Sequence, residues 1–237
     1  MDISNKIAIV TGASKGLGAA ISKALVAAGA TVYGLARNTA ALEDMEKSSN
    51  SEFVAVSLDV SDPTAVKKWI ADTFSDTYLP DILINNAGAG TFGKIDEMPI
   101  GEWYAMINTN LNGMYHITSE VVKLMKRKKQ GSHIVNIGSI LGTTTRAEGA
   151  AYSATKYAVN GFSESLFKEL RQYQIKVSCI NPGSIDTGFF KSSGIRAHSN
   201  MLQPDDVAAT VLHVLRTPDN MLITEMTLRP LNPKAPE

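Results

Sequence analysis

Tyr152 and Lys156 stand four residues apart in the stretch Ala151-Tyr152-Ser153-Ala154-Thr155-Lys156-Tyr157. On a helix, both side chains leave the same face about one turn apart. An ammonium beside a phenol favours the phenolate by direct Coulomb attraction. A free tyrosine, with a pKa of about 10, is a poor acid or base near neutrality. A lysine at this spacing therefore predicts a tuned acid/base tyrosine. The pair alone also suits an ordinary surface helix, so the rest of the chain must decide. Ser139 stands 13 residues before Tyr152, room for a loop and the start of a helix. Asn110 is a polar residue inside an apolar helical stripe, which is costly unless its amide is satisfied.

The elements that would position these residues begin with a short apolar run, Ile7 to Val10. It leads into Thr11-Gly12-Ala13-Ser14-Lys15-Gly16-Leu17-Gly18. Leu17, Ile21, Leu25 and Ala28 then share one helical face, Gly29 caps it, and Thr31 to Ala36 reads as a second strand. Strand, Gly-rich turn, helix and strand form the opening unit of a dinucleotide fold. Its glycines permit a tight turn, close approach of a pyrophosphate, and packing of the helix on the sheet. An acid at the end of the second strand would bind the ribose hydroxyls of NAD. Here Leu35-Ala36-Arg37-Asn38 has none. A guanidinium at Arg37, with Lys15 in the turn, suits a 2′-phosphate instead and predicts NADP(H).

Further strands are read at Phe53 to Leu58, Ile82 to Ile84, Ser132 to Ile137, Gln174 to Ile180 and Met221 to Leu228. Asp59 ends the third, and either accepts from an adenine amino group or caps a helix. Asp62-Pro63 opens a helix whose apolar face is Val66, Trp69, Ile70 and Phe74. After the fourth strand, Asn85-Asn86-Ala87-Gly88 either braces the sheet or lines the cofactor crevice. One long helical pattern runs from Trp103 to about Met125, and the basic run Lys126 to Lys129 reads as its solvated end. A helix through Phe162, Leu166 and Leu170 carries Tyr152 and Lys156, and another runs from Pro204 to about Leu215. His133 reads as an ordinary strand residue, and Cys179 as a buried small hydrophobe. Residues 188–203, with Gly, Ser and His, read as a lid. No repeat or linker divides residues 1–237, so a single domain is expected.

The composition excludes several classes. The 237 residues are 44% apolar and 19% charged, an ordinary globular mix. Lys plus Arg and Asp plus Glu are both 23, so the net charge is zero and no nucleic-acid partner is expected. A single cysteine allows no intrachain disulfide, which fits a reducing compartment. No apolar run of about 18 residues occurs, so no membrane span is expected. A cytoplasmic protein without a metal site is the resulting expectation.

Together, Thr11-Gly12-x-x-x-Gly16-x-Gly18, Asn85-Asn86-Ala87-Gly88, Asn110, Ser139, Tyr152-x-x-x-Lys156 and Pro182-Gly183 resemble the short-chain dehydrogenase/reductase family over nearly the whole chain. The resemblance implies an α/β single-domain doubly wound Rossmann fold. Its seven-stranded parallel sheet would have the order 3-2-1-4-5-6-7, with helices on both faces. It implies Asn110, Ser139, Tyr152 and Lys156 as the catalytic set. Tyr152 would exchange a proton with the carbonyl oxygen as hydride moves, and Ser139 would hold that oxygen. Lys156 would bind the nicotinamide ribose and lower the tyrosine pKa, and Asn110 would anchor a water relaying protons. Gly12, Ser14, Lys15, Gly16, Leu17, Gly18 and Arg37 would meet the phosphates. Asp59, Val60, Asn86 and Gly88 would line the adenosine and ribose side. Gly183, Ile185 and Thr187, with Tyr152 and Lys156, would meet the nicotinamide end.

The implied activity is NADP(H)-dependent hydride exchange with a small carbonyl or secondary alcohol substrate. The end of the chain, Met221 to Leu228 followed by Arg229-Pro230, resembles the branch of 3-hydroxy acid dehydrogenases and sepiapterin reductase-like enzymes. A 3-oxoacyl-acyl-carrier-protein reductase is the alternative, although only Lys191 and Arg196 offer the carrier a basic patch by the lid. A nucleotide-sensing regulator without catalysis would be expected to lack Tyr152 or Lys156. Homodimers or homotetramers are implied through the two long helices, about 102–127 and 152–172, with Met106, Met114 and Phe167 serving that interface or the core. Substrate choice would rest on the lid and the 89–100 and 140–150 loops.

Overall fold

A computed structural model describes residues 1–49, 52–128, 131–189, 191 and 196–235. Seven strands form one parallel sheet in the order β3-β2-β1-β4-β5-β6-β7. They are β1 (Ile7–Thr11), β2 (Thr31–Ala36), β3 (Phe53–Ser57), β4 (Ile82–Asn85), β5 (Ser132–Ile137), β6 (Ile175–Pro182) and β7 (Glu225–Leu228). Between them run α1 (Gly16–Ala27), α2 (Ala40–Ser48), α3 (Pro63–Thr73), α4 (Ile100–Ile107), α5 (Met114–Met125), α6 (Ala150–Leu170) and α7 (Pro204–Leu215). This is the Rossmann order expected from the sequence.

Alternation along β1 shows how the layers assemble. Ala8 and Val10 join one core with Ile21 and Leu25 of α1, Leu42 of α2 and Val211 of α7. Ile9 points to the opposite face and joins Val66 and Ile70 of α3, Ile117 and Val121 of α5, and Leu170 of α6. Burial on both faces explains why the central strands read as continuous apolar runs. Val10 sits between Gly34 of β2 and Ile84 of β4. The strand order reverses there, so the C-terminal ends of β1 and β4 open a crevice.

Several elements depart from their sequence reading. The long helical pattern is broken into α4 and α5 by a π-helical segment, Asn108–Gly113, which carries Asn110. The basic run after α5 is not simply solvated. Buried Asp81 accepts from the Ile7 N–H at 2.9 Å and pairs with Lys128 at 2.7 Å, because a buried carboxylate needs compensation. Arg127 pairs with Asp76, and Lys126 lies over the Tyr173 ring; Lys129 is outside the described residues. Strand β6 starts one residue late because Gln174 has φ +57°, and it continues through Asn181 and Pro182, which pair with Thr227 and Leu228. Strand β7 begins only at Glu225. Met106 and Met114 are buried in the core, which removes them from any subunit interface.

The start of α3 follows its sequence signal closely. Asp62 Oδ1 accepts from the N–H groups of Thr64 at 2.9 Å and Ala65 at 3.0 Å, with Pro63 in the first turn. Asp62→Ala is expected to cost about 1 kcal/mol, read as a shifted urea midpoint with an unchanged slope.

Candidate active site

Helix α6 presents Tyr152 and Lys156 to the sheet, and both are buried, at 5% and 6% exposure. Their facing partner is Ser139, just beyond β5. A hydrogen bond joins Ser139 to the Tyr152 hydroxyl. Ser139 is held from two sides: its Oγ accepts from the Leu141 N–H at 3.1 Å, and its own N–H donates to Asn181 Oδ1 at 3.1 Å. Asn181 is fixed in turn by donating to Glu225 Oε1 at 2.9 Å. A Cβ on Gly138 would lie 1.9 Å from Asn181 Oδ1, so only glycine lets β5 and β6 meet this way. The support from Asn181 and Glu225 is invisible in the sequence, because β6 and β7 become neighbours of Ser139 only in the folded sheet.

The electrostatics differ from the sequence expectation. Burial pushes the Tyr152 phenol above its ordinary value, and the Ser139 hydrogen bond recovers only part of that shift. Burial also pulls the Lys156 ammonium down to about 8, against a smaller opposing influence of Cys179. Desolvation penalises the charged form of each group. Lys156 Nζ stands 5.7 Å from the centre of the Tyr152 ring and donates to the Ile137 carbonyl at 2.9 Å. The phenol is thus held protonated, ready to donate.

Asn110 serves as a brace. Its Oδ1 accepts from the Ala89 N–H at 2.8 Å, and its Nδ2 donates to Ala89 O at 2.9 Å and Thr155 Oγ1 at 3.0 Å. The amide therefore ties the loop after β4 to α6. Asn110, Lys156, Thr11 and Asn85 bound a small cavity of about 10 Å³. Asn85 Nδ2 donates to Thr118 and Asn136, so this amide braces the sheet against α5. Asn86 Nδ2 donates to Thr11 O at 2.9 Å and Gly12 O at 3.2 Å, which holds the Gly-rich turn.

That turn fits a dinucleotide. A Cβ on Gly18 would stand 2.2 Å from Gly12 O, so the turn closes only around glycine. Helix α1 begins at Gly16 with no acid in its first turn and no side-chain cap, leaving N–H groups free for an anion. Ser14 and Leu17 flank those groups, Leu17 buried in the core. Lys15 and Arg37 are exposed at the rim. Burial alone would raise the Asp59 carboxyl, but the Ser61 hydroxyl and N–H, helped by Arg37, hold it below its ordinary value. Asp59 Oδ1 is engaged by Ser61 at 2.7 and 2.9 Å, a local turn rather than a helix cap. Val60 is buried, and its carbonyl lies 3.1 Å from His116 Nδ1.

The segment after β6 closes on the same crevice. The Gly183 N–H donates to Leu228 O, Ile185 bridges to Leu202, and the Thr187 methyl lies by Gly16. Gly88 lies near Asn110 and Phe189. Within the expected lid, residues 190 and 192–195 lie outside the described residues, while Leu202 is anchored to Ser184 and Asp186.

The wall around Tyr152 is what sequence reasoning missed. Phe92 meets the phenol ring edge-on at 5.7 Å, and Phe189 lies at 6.2 Å. Met106, Ala151 and Leu141 complete an apolar cluster there. No periodicity marks one loop aromatic as facing a particular side chain, so the sequence does not show these neighbours. Among the described residues, no group of three His, Cys, Asp or Glu side chains could hold a metal. Nor is any helix among them long and apolar enough to cross a membrane.

Comparison with known proteins identifies the family and agrees with the fold. The short chain dehydrogenase family model matches residues 6–197. Dehydrogenase/reductase SDR family member 11 of Bos taurus is 34% identical over 245 residues, covering 95% of this chain and 96% of its own. A closed form of serine dehydrogenase complexed with NADP+ superposes with a TM-score of 0.88 at 29% identity, covering 95% of both chains. A 3-ketoacyl-(acyl-carrier-protein) reductase from Brucella melitensis complexed with NADH gives 0.86 at 26% identity, covering 95% of this chain and 96% of the other. A family match over residues 6–197 and a relative 34% identical over nearly its whole length show that the chain belongs to the short-chain dehydrogenase family.

Proposed function

We propose that the protein exchanges a hydride between NADP(H) and a small carbonyl compound or its secondary alcohol. The observation that carries this reading is the hydrogen-bonded Ser139–Tyr152 pair, buried beside Lys156 at the crevice. The nicotinamide, when bound, supplies or accepts the hydride. Negative charge then develops on the substrate oxygen during reduction, and that oxygen would replace the Ser139–Tyr152 contact as the common acceptor of both hydroxyls. Tyr152, kept protonated by burial, passes its proton to the nascent alkoxide, which is far more basic than a phenolate. Lys156, 5.7 Å from the centre of the Tyr152 ring, would return a proton to Tyr152 and hold a ribose hydroxyl. The Asn110 side chain keeps α6 and the loop after β4 in register, beside the small cavity that Lys156 also lines.

The cofactor choice rests on the end of β2. No carboxylate stands there, and Arg37 and Lys15 are exposed, which suits a 2′-phosphate. One structural neighbour binds NADP+ and another NADH, so the local charge must decide. The kcat/KM for NADPH is expected to exceed that for NADH by about tenfold or more, the scale of one charge-assisted contact. Arg37→Ala should narrow the ratio, and equal values in the unaltered protein would sink the NADP assignment. Self-association through α4, α5 and α6 also belongs to this reading, supported by the outward-facing Tyr104, Tyr115 and Tyr157.

A further inference from the structure

We infer that Arg146 selects the substrate, its guanidinium holding an anionic group on the carbonyl compound reduced at Tyr152. Arg146 lies on the loop that leads into α6. Its guanidinium carbon sits 4.5 Å over the Phe92 ring, and Phe92 in turn meets Tyr152 edge-on at 5.7 Å. The cation is therefore one aromatic ring away from the ring that bears the reacting hydroxyl. Stacking on Phe92 restricts the arginine and leaves its planar fork presented outward.

Nothing in the described protein uses that fork. The one hydrogen bond from Arg146 runs from Nε to Ala147 O at 3.2 Å, which leaves both Nη groups. Among the described residues Arg146 makes no ion pair, although Glu148 is two residues away. The neighbouring cation, Lys94, is by contrast paired with Glu97 at 2.8 Å. Arg146 and Lys94 border a groove of about 760 Å³ whose other walls include Ile95, Thr145, Glu148, Ser153 and Tyr157. Around the Tyr152 ring, Phe92, Phe189, Met106, Leu141 and Ala151 supply apolar surface. Among the described cations of this groove, Arg146 is thus the one without a carboxylate partner. A carboxylate matches its fork in bidentate fashion, which makes short oxo acids the substrate class.

The inference rests on the carbonyl reductase reading, and one experiment separates the two. NADPH oxidation by the full chain is measured with short 2-oxo and 3-oxo acids and their methyl esters, beside neutral aldehydes, diketones and quinones. The unaltered protein is expected to favour an acid over its ester by about tenfold or more in kcat/KM, the scale of a charge-assisted pair. Arg146→Met should abolish that preference chiefly through a raised KM for the acid, and Arg146→Lys should restore part of it. Turnover of neutral carbonyls without acid preference overturns the role of Arg146 and leaves the reductase reading standing. An equal fall for acid and ester in Arg146→Met also overturns it, since Arg146 would then merely cover Phe92. No turnover of any carbonyl overturns both.

Discussion

Tyr152→Phe is expected to lower kcat by about two to four orders of magnitude while cofactor titration stays intact. The substitution removes one oxygen and leaves the ring, so packing against Phe92 and Phe189 is kept. What disappears is the donor hydrogen-bonded to Ser139 and buried beside Lys156. If Tyr152 gives its proton to the substrate oxygen, Ser139 can still polarise the carbonyl, but nothing delivers a proton to it. The loss should therefore fall on kcat and not on cofactor affinity. Rates of NADPH oxidation, with cofactor fluorescence titrations on the same variant, check this. Activity close to that of the unaltered protein with a good carbonyl substrate would remove Tyr152 from its role.

The second large effect is on stability, and arises far from the crevice at the opposite end of β5. His133 is fully buried, and burial, then the positive charges of Lys176 and the N-terminus, pull its pKa from 6.5 to about 3. Its Nε2 bonds to Ser178 Oγ at 2.8 Å, while the Ser178 hydroxyl donates to Ile223 O. The serine proton is thus committed, so Nε2 carries the imidazole proton and Nδ1 is the bare nitrogen, buried without a partner.

An unfolded chain takes up the histidine proton near 6.5, whereas the folded chain resists until about 3. Between those values the unfolded state binds more protons, so this contribution to stability is full above 6.5 and drains away on acidification. From pH 7 to 4 the histidine alone should remove about 3 kcal/mol. Urea unfolding at several pH values, followed by circular dichroism, reads this directly. His133→Gln should show a flatter fall than the unaltered protein, since carboxylate contributions common to both cancel in the difference. Parallel curves would assign the acid sensitivity elsewhere.

His133 illustrates what a chain alone conceals. In sequence it is one polar letter in a strand, with nothing to show that β4 and β6 flank it on both sides. The Tyr152–Lys156 pair shows the same limit more sharply. Its spacing is local and was legible, as were the Gly-rich turn, the apolar runs of the strands and the Asp62 cap. Such features depend on helix period, pleat and the steric freedom of glycine, which the chain carries residue by residue. The order of these marks also sufficed for the strand order and for the family.

Tertiary structure decided the quantities that depend on environment. The lysine charge suggested a phenol made more acidic, yet burial moves it the other way, because desolvation exists only once the chain has packed. The π-helical segment at Asn108–Gly113 hides within an unbroken apolar pattern and shows only when the Asn110 amide reaches Ala89 and Thr155. Asn86 read as either a crevice lining or a brace, and two carbonyls of the Gly-rich turn settle its amide nitrogen as a brace. Phe92, Phe189 and Arg146 come from loops, where no periodicity assigns a side chain its neighbours. By itself the sequence determined the family and the sheet, and it named candidates for the reacting residues. Protonation, bracing and the shape around Tyr152 were left to long-range packing, which sets the local dielectric and brings distant groups together.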